Sequence, residues 1–397
     1  MHEDISVLEL EANELYSSML TADNPVHINT KLNRLEAKLG KERLLSYPQY
    51  LTLPLTNVCN ARCIFCGYTE KAHKVFVKPE DLKKLQWLRF VERINVNGGY
   101  GDSLANPFFG DIVNYIHKLS PNSCLSMTTN GIGLTEKIIP PILGHMSFIL
   151  FSLNAPDPDS WGTVMQCRSA GSVFHRMVAL LKDVCRNKPS QLKIGLSMVV
   201  FKDNLHLVED FMHLSHEIGV DSVVLTQYYP ISFYGNKNLS NDKSLYYCKE
   251  ESDKAFLNAE KIAKFYGIVL NRPRLFSEEQ SKCAGRCYQP FNQCILTNYE
   301  SADSRNDVTP CCVGYRFGLD WDYSLLDDEY FMNKIWNNAV LRFFRRYQYN
   351  NNIDNAYCRT CCDRDRFDPL QTKHFLAAID RMSLYSRALV EENPEMF

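Results

Sequence analysis

No stretch of the 397 residues gathers the roughly 18 consecutive apolar positions that a membrane-spanning helix needs. The opening Met1-His2-Glu3-Asp4 lacks the basic-then-apolar layout of a secretory signal, so a cytoplasmic chain with no membrane contact is expected. Neither sign of charge is in excess. Lys and Arg number 44 against 46 Asp and Glu, a net of -2, which leaves no electrostatic footprint for nucleic acid or an anionic membrane. There is no low-complexity tract. What remains is ordinary for a globular protein: 45% hydrophobic and 23% charged residues, on a chain long enough for two or three structural units and a large core.

Cysteine is the exception. Fifteen is many for an intracellular chain, the count is odd, and a chain this long does not depend on disulfides. Three (Cys59, Cys63, Cys66) fall in one loop, eight lie between Cys283 and Cys362, and Cys124, Cys167, Cys185 and Cys248 are scattered. Two clusters far apart in sequence point to two metal sites in a reducing compartment.

The segment Cys59-Asn60-Ala61-Arg62-Cys63-Ile64-Phe65-Cys66 follows the apolar run from Tyr50 to Leu55. An iron–sulfur cubane normally takes a thiolate on each of its four irons, so three thiols leave one iron open to a substrate or cofactor. A zinc site or a disulfide is the alternative, but zinc sites usually pair C-x-x-C units or add histidines, and neither is local here. The loop resembles the C-x-x-x-C-x-aromatic-C loop of the radical SAM superfamily, with Phe65 at the aromatic position. The resemblance implies a [4Fe–4S] cluster on Cys59, Cys63 and Cys66, with S-adenosylmethionine chelated by the open iron. Its reductive cleavage would yield a 5′-deoxyadenosyl radical that abstracts hydrogen from a substrate, with electrons from a donor such as flavodoxin or ferredoxin.

Residues 1–48 read as a helical segment. Ile5, Leu8, Ala12, Leu15 and Met19, then Ile28, Leu32, Leu35 and Leu39, keep helical spacing, and Asn24-Pro25 divides them. It is too short for a winged-helix leader-peptide module or a cobalamin domain. Residues 49–275 alternate apolar strands (near 50–56, 92–97, 123–128, 147–153, 193–201 and 221–228) with amphipathic helices (near 79–90, 107–119, 135–144, 171–187, 204–218 and 250–267). Repeated strand–helix units imply an α/β fold with a parallel sheet and right-handed crossovers, and ligands beyond the C-terminal strand ends. The family's partial (β/α)6 barrel agrees.

The post-strand loops carry the remaining candidates. Asn97-Gly98-Gly99-Tyr100-Gly101-Asp102 resembles the family's Gly-rich segment, whose backbone and acid hold the methionine amino group. This assigns Gly99, Gly101 and Asp102 to the cofactor, with Asp where Glu is usual. Thr128-Thr129-Asn130-Gly131 resembles the T-N-G near the cofactor, although Asn-Gly is also a common turn. Ser152 and Asn154 match the ribose-binding pair, or simply cap the strand end. Cys167 and Cys248, in long post-strand stretches, are candidate hydrogen-atom donors or small buried hydrophobes. Gln227-Tyr228-Tyr229-Pro230 and Tyr234 offer aromatic faces at the mouth.

Residues 276–366 resemble the twitch/SPASM extension. Cys287 precedes Pro290-Phe291, a β-hairpin ends in Pro310-Cys311-Cys312, a helix carries Ile335-Trp336-Asn337, and Cys358-Arg359-Thr360-Cys361 closes the set. The resemblance implies a second, auxiliary [4Fe–4S] cluster on Cys287, Cys311, Cys358 and Cys361, with Cys283, Cys294, Cys312 and Cys362 as spares. The longer cysteine run of full SPASM domains is absent, which fits the single-cluster twitch form; a structural zinc ribbon is the alternative. Residues 367–397 read as a closing helical tail. The substrate is then a small molecule, carbohydrate-like or otherwise, or a ribosomally made peptide, undergoing oxidation, epimerisation, rearrangement or crosslinking. Methyl transfer is disfavoured because no cobalamin domain is evident. A non-catalytic iron–sulfur or zinc protein that binds a partner is the reading from another class.

Overall fold

The structure is a computed structural model, and it describes residues 5–68, 73–97, 101–167, 169–229, 240–278, 287–297, 306–309, 311 and 321–350. Two helices open the chain, α1 (Ile5–Thr21) and α2 (Pro25–Leu39), as the spacing predicts. Pro25 takes the first helical turn of α2, and Gly40 ends it at φ 69°.

One face of α2 buries a polar row, Asn29, Asn33 and Glu36. Asn29 clasps the backbone of one residue: its Oδ1 accepts the Tyr47 N–H at 2.8 Å and its Nδ2 donates to the Tyr47 carbonyl at 3.1 Å. Asn33 donates to the Phe291 carbonyl at 2.7 Å and accepts from Gln49 at 2.7 Å. Glu36 accepts the N–H groups of Leu45 and Ser46 at 2.6 and 3.0 Å. Buried polar groups need such partners. Here they fix the run of chain that leads into the first strand.

Among the described residues nine strands form one sheet: β1 (Tyr50–Thr52), β2 (Arg93–Asn95), β3 (Cys124–Thr129), β4 (Met146–Ser152), β5 (Lys193–Val200), β6 (Ser222–Gln227), β7 (Val269–Asn271), β8 (Gln293–Thr297) and β9 (Asp307–Thr309). The order is β7-β6-β5-β4-β3-β2-β1-β8-β9. All neighbours are parallel except the β8–β9 hairpin. The core strands and the expected hairpin are therefore present in an α/β fold. The hairpin also joins the barrel sheet, because β8 runs parallel to β1 with Cys294 opposite Leu51. The spare Cys294 is thus a fully buried core residue.

Helices α3 (Phe109–Leu119), α4 (Ile139–His145), α6 (Ala170–Asn187), α7 (Val208–Ile218) and α8 (Lys249–Tyr266) follow the expected strands. A further helix, α5 (Pro158–Met165), stands where no helix is expected. Conversely, the helix expected at 79–90 is two 3-10 turns, Pro79–Leu82 and Gln86–Phe90. The reason lies in the spacing. Leu82, Leu85, Leu88 and Val91 are all buried and recur every third residue, and the N–H groups of Leu85, Leu88 and Val91 reach the carbonyls three before them at 3.0–3.1 Å. A 3-10 turn eclipses positions three apart, so it buries this row where an α-helix would fan it out.

Beyond the hairpin, a π-helical turn, Phe331–Trp336, leads into the helix Ala339–Tyr349, whose start is capped by Asn338 accepting the Leu341 N–H at 2.8 Å. This segment grips the same lead-in from the other side. Trp336 donates its indole N–H to the Ser46 carbonyl at 2.8 Å, and Asn337 accepts the Leu44 N–H and donates to the Leu44 carbonyl at 2.8 and 2.9 Å. Arg345, fully buried, donates to the carbonyls of Pro290, Glu42 and Trp336 and to Asn337 Oδ1, all within 2.8–2.9 Å. Gly99, Pro230, Tyr234, Cys283, Cys312, Cys358, Cys361, Cys362 and the tail 367–397 lie outside the described residues. No helix among the described residues is long and apolar enough to cross a membrane.

Candidate functional site

The parallel register puts the C-terminal ends of β1 to β4 side by side, and the loops that leave them carry the three-cysteine segment, Gly101-Asp102, Asn130 and Ser152-Asn154. The three-cysteine loop is pinned at its base. Thr56 Oγ1 donates to the Val75 carbonyl at 2.6 Å, and Asn57 clasps residues 73–75 through His73 O and Val75 N at 2.9 and 2.8 Å. Tyr323 donates its hydroxyl to the Pro54 carbonyl, a tie from the C-terminal half.

The loop itself is held from outside. Arg62 and Ile64 donate their N–H groups to the carbonyls of Met165 and Val164, each at 3.0 Å, so the last turn of α5 supplies acceptors its own helix leaves unused. The far end of α5 is set by Asp157, whose carboxylate accepts the N–H groups of Asp159 and Ser160 at 3.0 and 2.9 Å. The Arg62 guanidinium folds back on the Cys59 and Ala61 carbonyls at 3.0 and 2.9 Å and lies 4.9 Å over the Tyr68 ring. Cys63 Sγ sits 3.5 Å from Met165 Sδ. Phe65 is half-buried against the core.

Burial pushes the Cys59 thiol up to about 12, with the nearby Asp102 charge adding to the shift. Burial likewise lifts Cys63 well above the usual thiol range, reinforced by the charges of Cys66 and Cys59, and it lifts Cys66. Three thiols that feel one another in an apolar setting become thiolates only when they share a strongly cationic centre. Among the described residues no three His, Cys, Asp or Glu side chains converge tightly enough for a single metal ion. A cubane's irons occupy separate corners, so its thiolates stand wider apart than the ligands of one ion. Three thiols on one short loop are a donor set that a cubane with one open iron could take.

The neighbouring loops lock against this one. Gly101 takes φ 133° with the Thr56 carbonyl packed against its Cα, so a β-carbon there would collide with that carbonyl. Asp102 is buried. It donates its N–H to the Val58 carbonyl at 2.8 Å, and its carboxylate accepts from Leu104 N, Thr129 Oγ1 and Asn130 N at 3.0, 2.9 and 2.7 Å. Burial raises its carboxyl against the pull of these donors. Asp102 therefore acts as a strut between loops. Asn154, also fully buried, has φ 66°; its Oδ1 accepts the Val199 N–H at 2.9 Å and its Nδ2 reaches Ser152 Oγ at 3.0 Å. It ties β4 to β5, while Ser152 is the more accessible member of the pair.

Cys167 lies two residues beyond α5, half-buried against the core, on the side that holds the cysteine loop. Cys248 starts α8 and lines a groove with Lys202, His206, Glu209 and Asn258, away from any residue of that loop. Cys311 lies two residues beyond β9, and Cys287 lies six residues before β8 with the helical turn Gln289–Asn292 in between. The clamp from Val164 and Met165 and the contacts of Asn60 are the features that motif reading missed. Asp157-Pro158, a capping residue before a first-turn proline, was the available signal for α5.

Residues 53–215 match the profile of the radical SAM superfamily. The chain is 25% identical over 198 residues to the tungsten-containing aldehyde ferredoxin oxidoreductase cofactor-modifying protein of Pyrococcus furiosus, covering 46% of this chain and 52% of that protein. It is 31% identical over 124 residues to a GTP 3′,8-cyclase of Microcystis aeruginosa, covering 29% of this chain and 37% of the cyclase. The chain thus spans about half the length, or less, of these curated relatives. Among solved structures, Streptococcus suis SuiB bound to S-adenosylmethionine superposes with a TM-score of 0.58 at 16% identity, over 85% of this chain and 77% of SuiB. Native anSMEcpe with bound AdoMet superposes with a TM-score of 0.51 at 16% identity, over 72% of this chain and 81% of that one. These likenesses establish the fold.

Proposed function

Because the chain carries a radical SAM domain over residues 53–215, we propose that it is a radical SAM enzyme whose Cys59, Cys63 and Cys66 hold a [4Fe–4S] cluster. When bound, that cluster and S-adenosylmethionine supply a 5′-deoxyadenosyl radical that takes a hydrogen atom from the substrate. The observation that carries the reading is the placing of three half-buried thiols on the one loop that follows β1, inside the matched domain.

The chain's own residues hold and shield that chemistry. The α5 carbonyls and the Asn57 clasp fix the loop that carries the thiols. The resemblance gives Gly99, Gly101 and Asp102 the methionine end of the cofactor, and Gly101 and Asp102 pack that loop against the cysteine segment. Ser152 is the ribose-side hydroxyl, and Asn154 orients it. The strand ends and covering loops keep water from the reacting centre, and the substrate's position selects which C–H bond is in reach.

An auxiliary [4Fe–4S] cluster on Cys287, Cys311, Cys358 and Cys361 extends the reading, supported by the presence of the β8–β9 hairpin that the twitch resemblance calls for. The substrate is a small molecule or a peptide, and the fold likeness to SuiB bound to its precursor peptide SuiA favours a peptide. The electron donor is a flavodoxin or ferredoxin. Cys167, just beyond the helix that holds the cysteine loop, is the candidate hydrogen-atom donor of a redox-neutral epimerisation, whereas the groove position of Cys248, away from that loop, does not support the same role for it. Unchanged epimerisation with solvent deuterium uptake in Cys167→Ala would remove Cys167 from that role.

The test is anaerobic reconstitution, chemical reduction and assay of 5′-deoxyadenosine released from S-adenosylmethionine. Release supports the enzyme; no release from a chain with intact clusters would favour a non-catalytic iron–sulfur binding protein.

A further inference from the structure

We propose that Asn130 is a positioning residue that donates a hydrogen bond to the Cys59 sulfur and thereby raises the reduction potential of the cluster on the three-cysteine loop. The inference rests on the cluster reading above. Asn130 Nδ2 lies 3.6 Å from Cys59 Sγ and 2.7 Å from Asn60 Oδ1. The orientation of an asparagine amide is fixed by its other contacts, and here they leave one choice. Asn130 Oδ1 accepts the Ile132 N–H at 2.9 Å, so the amine end must face Cys59 and Asn60.

The backbone of Asn130 is just as constrained, since its N–H donates to the buried Asp102 carboxylate at 2.7 Å. The same carboxylate holds the Thr129 hydroxyl at 2.9 Å, and Thr129 in turn accepts the Gly131 N–H at 3.1 Å. One strut from β2 thus aims a side-chain donor from β3 at a sulfur from β1. Both amide protons are committed inside the protein, which makes Asn130 a support for the cysteine loop in preference to a direct contact of the cofactor. Hydrogen bonds to ligand sulfur delocalise negative charge and favour the reduced cluster.

The test is a redox titration of the reduced-cluster electron paramagnetic resonance signal on the reconstituted full-length chain. Iron is counted in each sample, and the auxiliary-cluster signal is assigned from a variant lacking the three loop cysteines. Asn130→Ala removes the donor; Asn130→Asp keeps the shape and replaces the donor with an acceptor. Asn60→Ala alters the exposed neighbour while leaving the donor in place. The expected result is a roughly tenfold fall in the reduced-to-oxidised ratio for Asn130→Ala, a shift of about 59 mV for a one-electron couple, a larger fall for Asn130→Asp, and none for Asn60→Ala. Loaded variants at the wild-type potential would overturn the inference, as would equal falls in all three, which would mark a general loosening of the loop. Loss of iron from both Asn130 variants but not from Asn60→Ala would reduce Asn130 to a structural role and overturn it too. A variant lacking the three loop cysteines that holds as much iron as the wild type would instead overturn the cluster reading itself.

Discussion

The Asn130 N–H donates to the Asp102 carboxylate at 2.7 Å, and this bond joins the loop after β3 to the loop after β2 directly behind the cysteine segment. Asp102 takes two further donors, from Leu104 and Thr129, at 3.0 and 2.9 Å. Removing the carboxylate would strand three donors in a dry interior. Asp102→Ala is expected to cost about 2–4 kcal/mol, the penalty of unsatisfied buried groups, and to impair iron uptake. Asp102→Asn should lose less, because its single oxygen still satisfies part of the set. Urea unfolding and iron analysis of both variants check this.

The α5 clamp leads to a second expectation. Asp157 caps the helix start through two N–H groups, and the other end of α5 holds Arg62 and Ile64. Asp157→Ala is expected to cost about 1 kcal/mol, as cap losses do. It should also speed the release of iron to a chelator, read from the decay of cluster absorbance, although the residue touches no cysteine.

Arg345 joins the two ends of the described chain, with carbonyls of Glu42, Pro290 and Trp336 and Asn337 Oδ1 around one buried guanidinium. Arg345→Ala should destabilise by about 3 kcal/mol or more through acceptors left unpaired in the interior. Arg345→Lys should recover little, since an ammonium cannot reproduce the planar fork. Equilibrium unfolding that separates the three forms is the check.

Asp221 gives a pH dependence. Burial works to raise its carboxyl, but the Ile194 N–H and the ammonium groups of Lys188 and Lys193 outweigh it and hold it below the usual range. A folded value below the unfolded one, about 3.9, contributes stability that is present above the unfolded value. That contribution is lost as pH falls through the folded one. Asp221→Asn should therefore lower the urea midpoint near neutral pH, and the gap from wild type should close as pH falls through the folded value. A constant gap would contradict the assignment.

The sequence made the parallel core legible because β3 to β6 are apolar runs with clear edges. Local patterns served less well where context decided. The Leu82, Leu85, Leu88 row satisfies a helical reading until its strict spacing of three is weighed. Val269–Asn271 is too short an edge strand to stand out. The pairing of β8 with β1 joins residues more than two hundred positions apart, and nothing nearby encodes it. At the site, the three cysteines and the loops beside them were legible by spacing. The inward commitments of Asp102, Asn130 and Asn154 were not, because a motif names a residue but not the direction of its side chain.

The central claim is that Cys59, Cys63 and Cys66 hold a cluster. Its most direct test is iron and sulfide content after anaerobic reconstitution of the intact chain and of a variant with Cys59→Ala, Cys63→Ala and Cys66→Ala. The account predicts that the variant holds about four irons fewer per chain, one cubane, and releases no 5′-deoxyadenosine. A variant with the same iron content as the intact chain would contradict it.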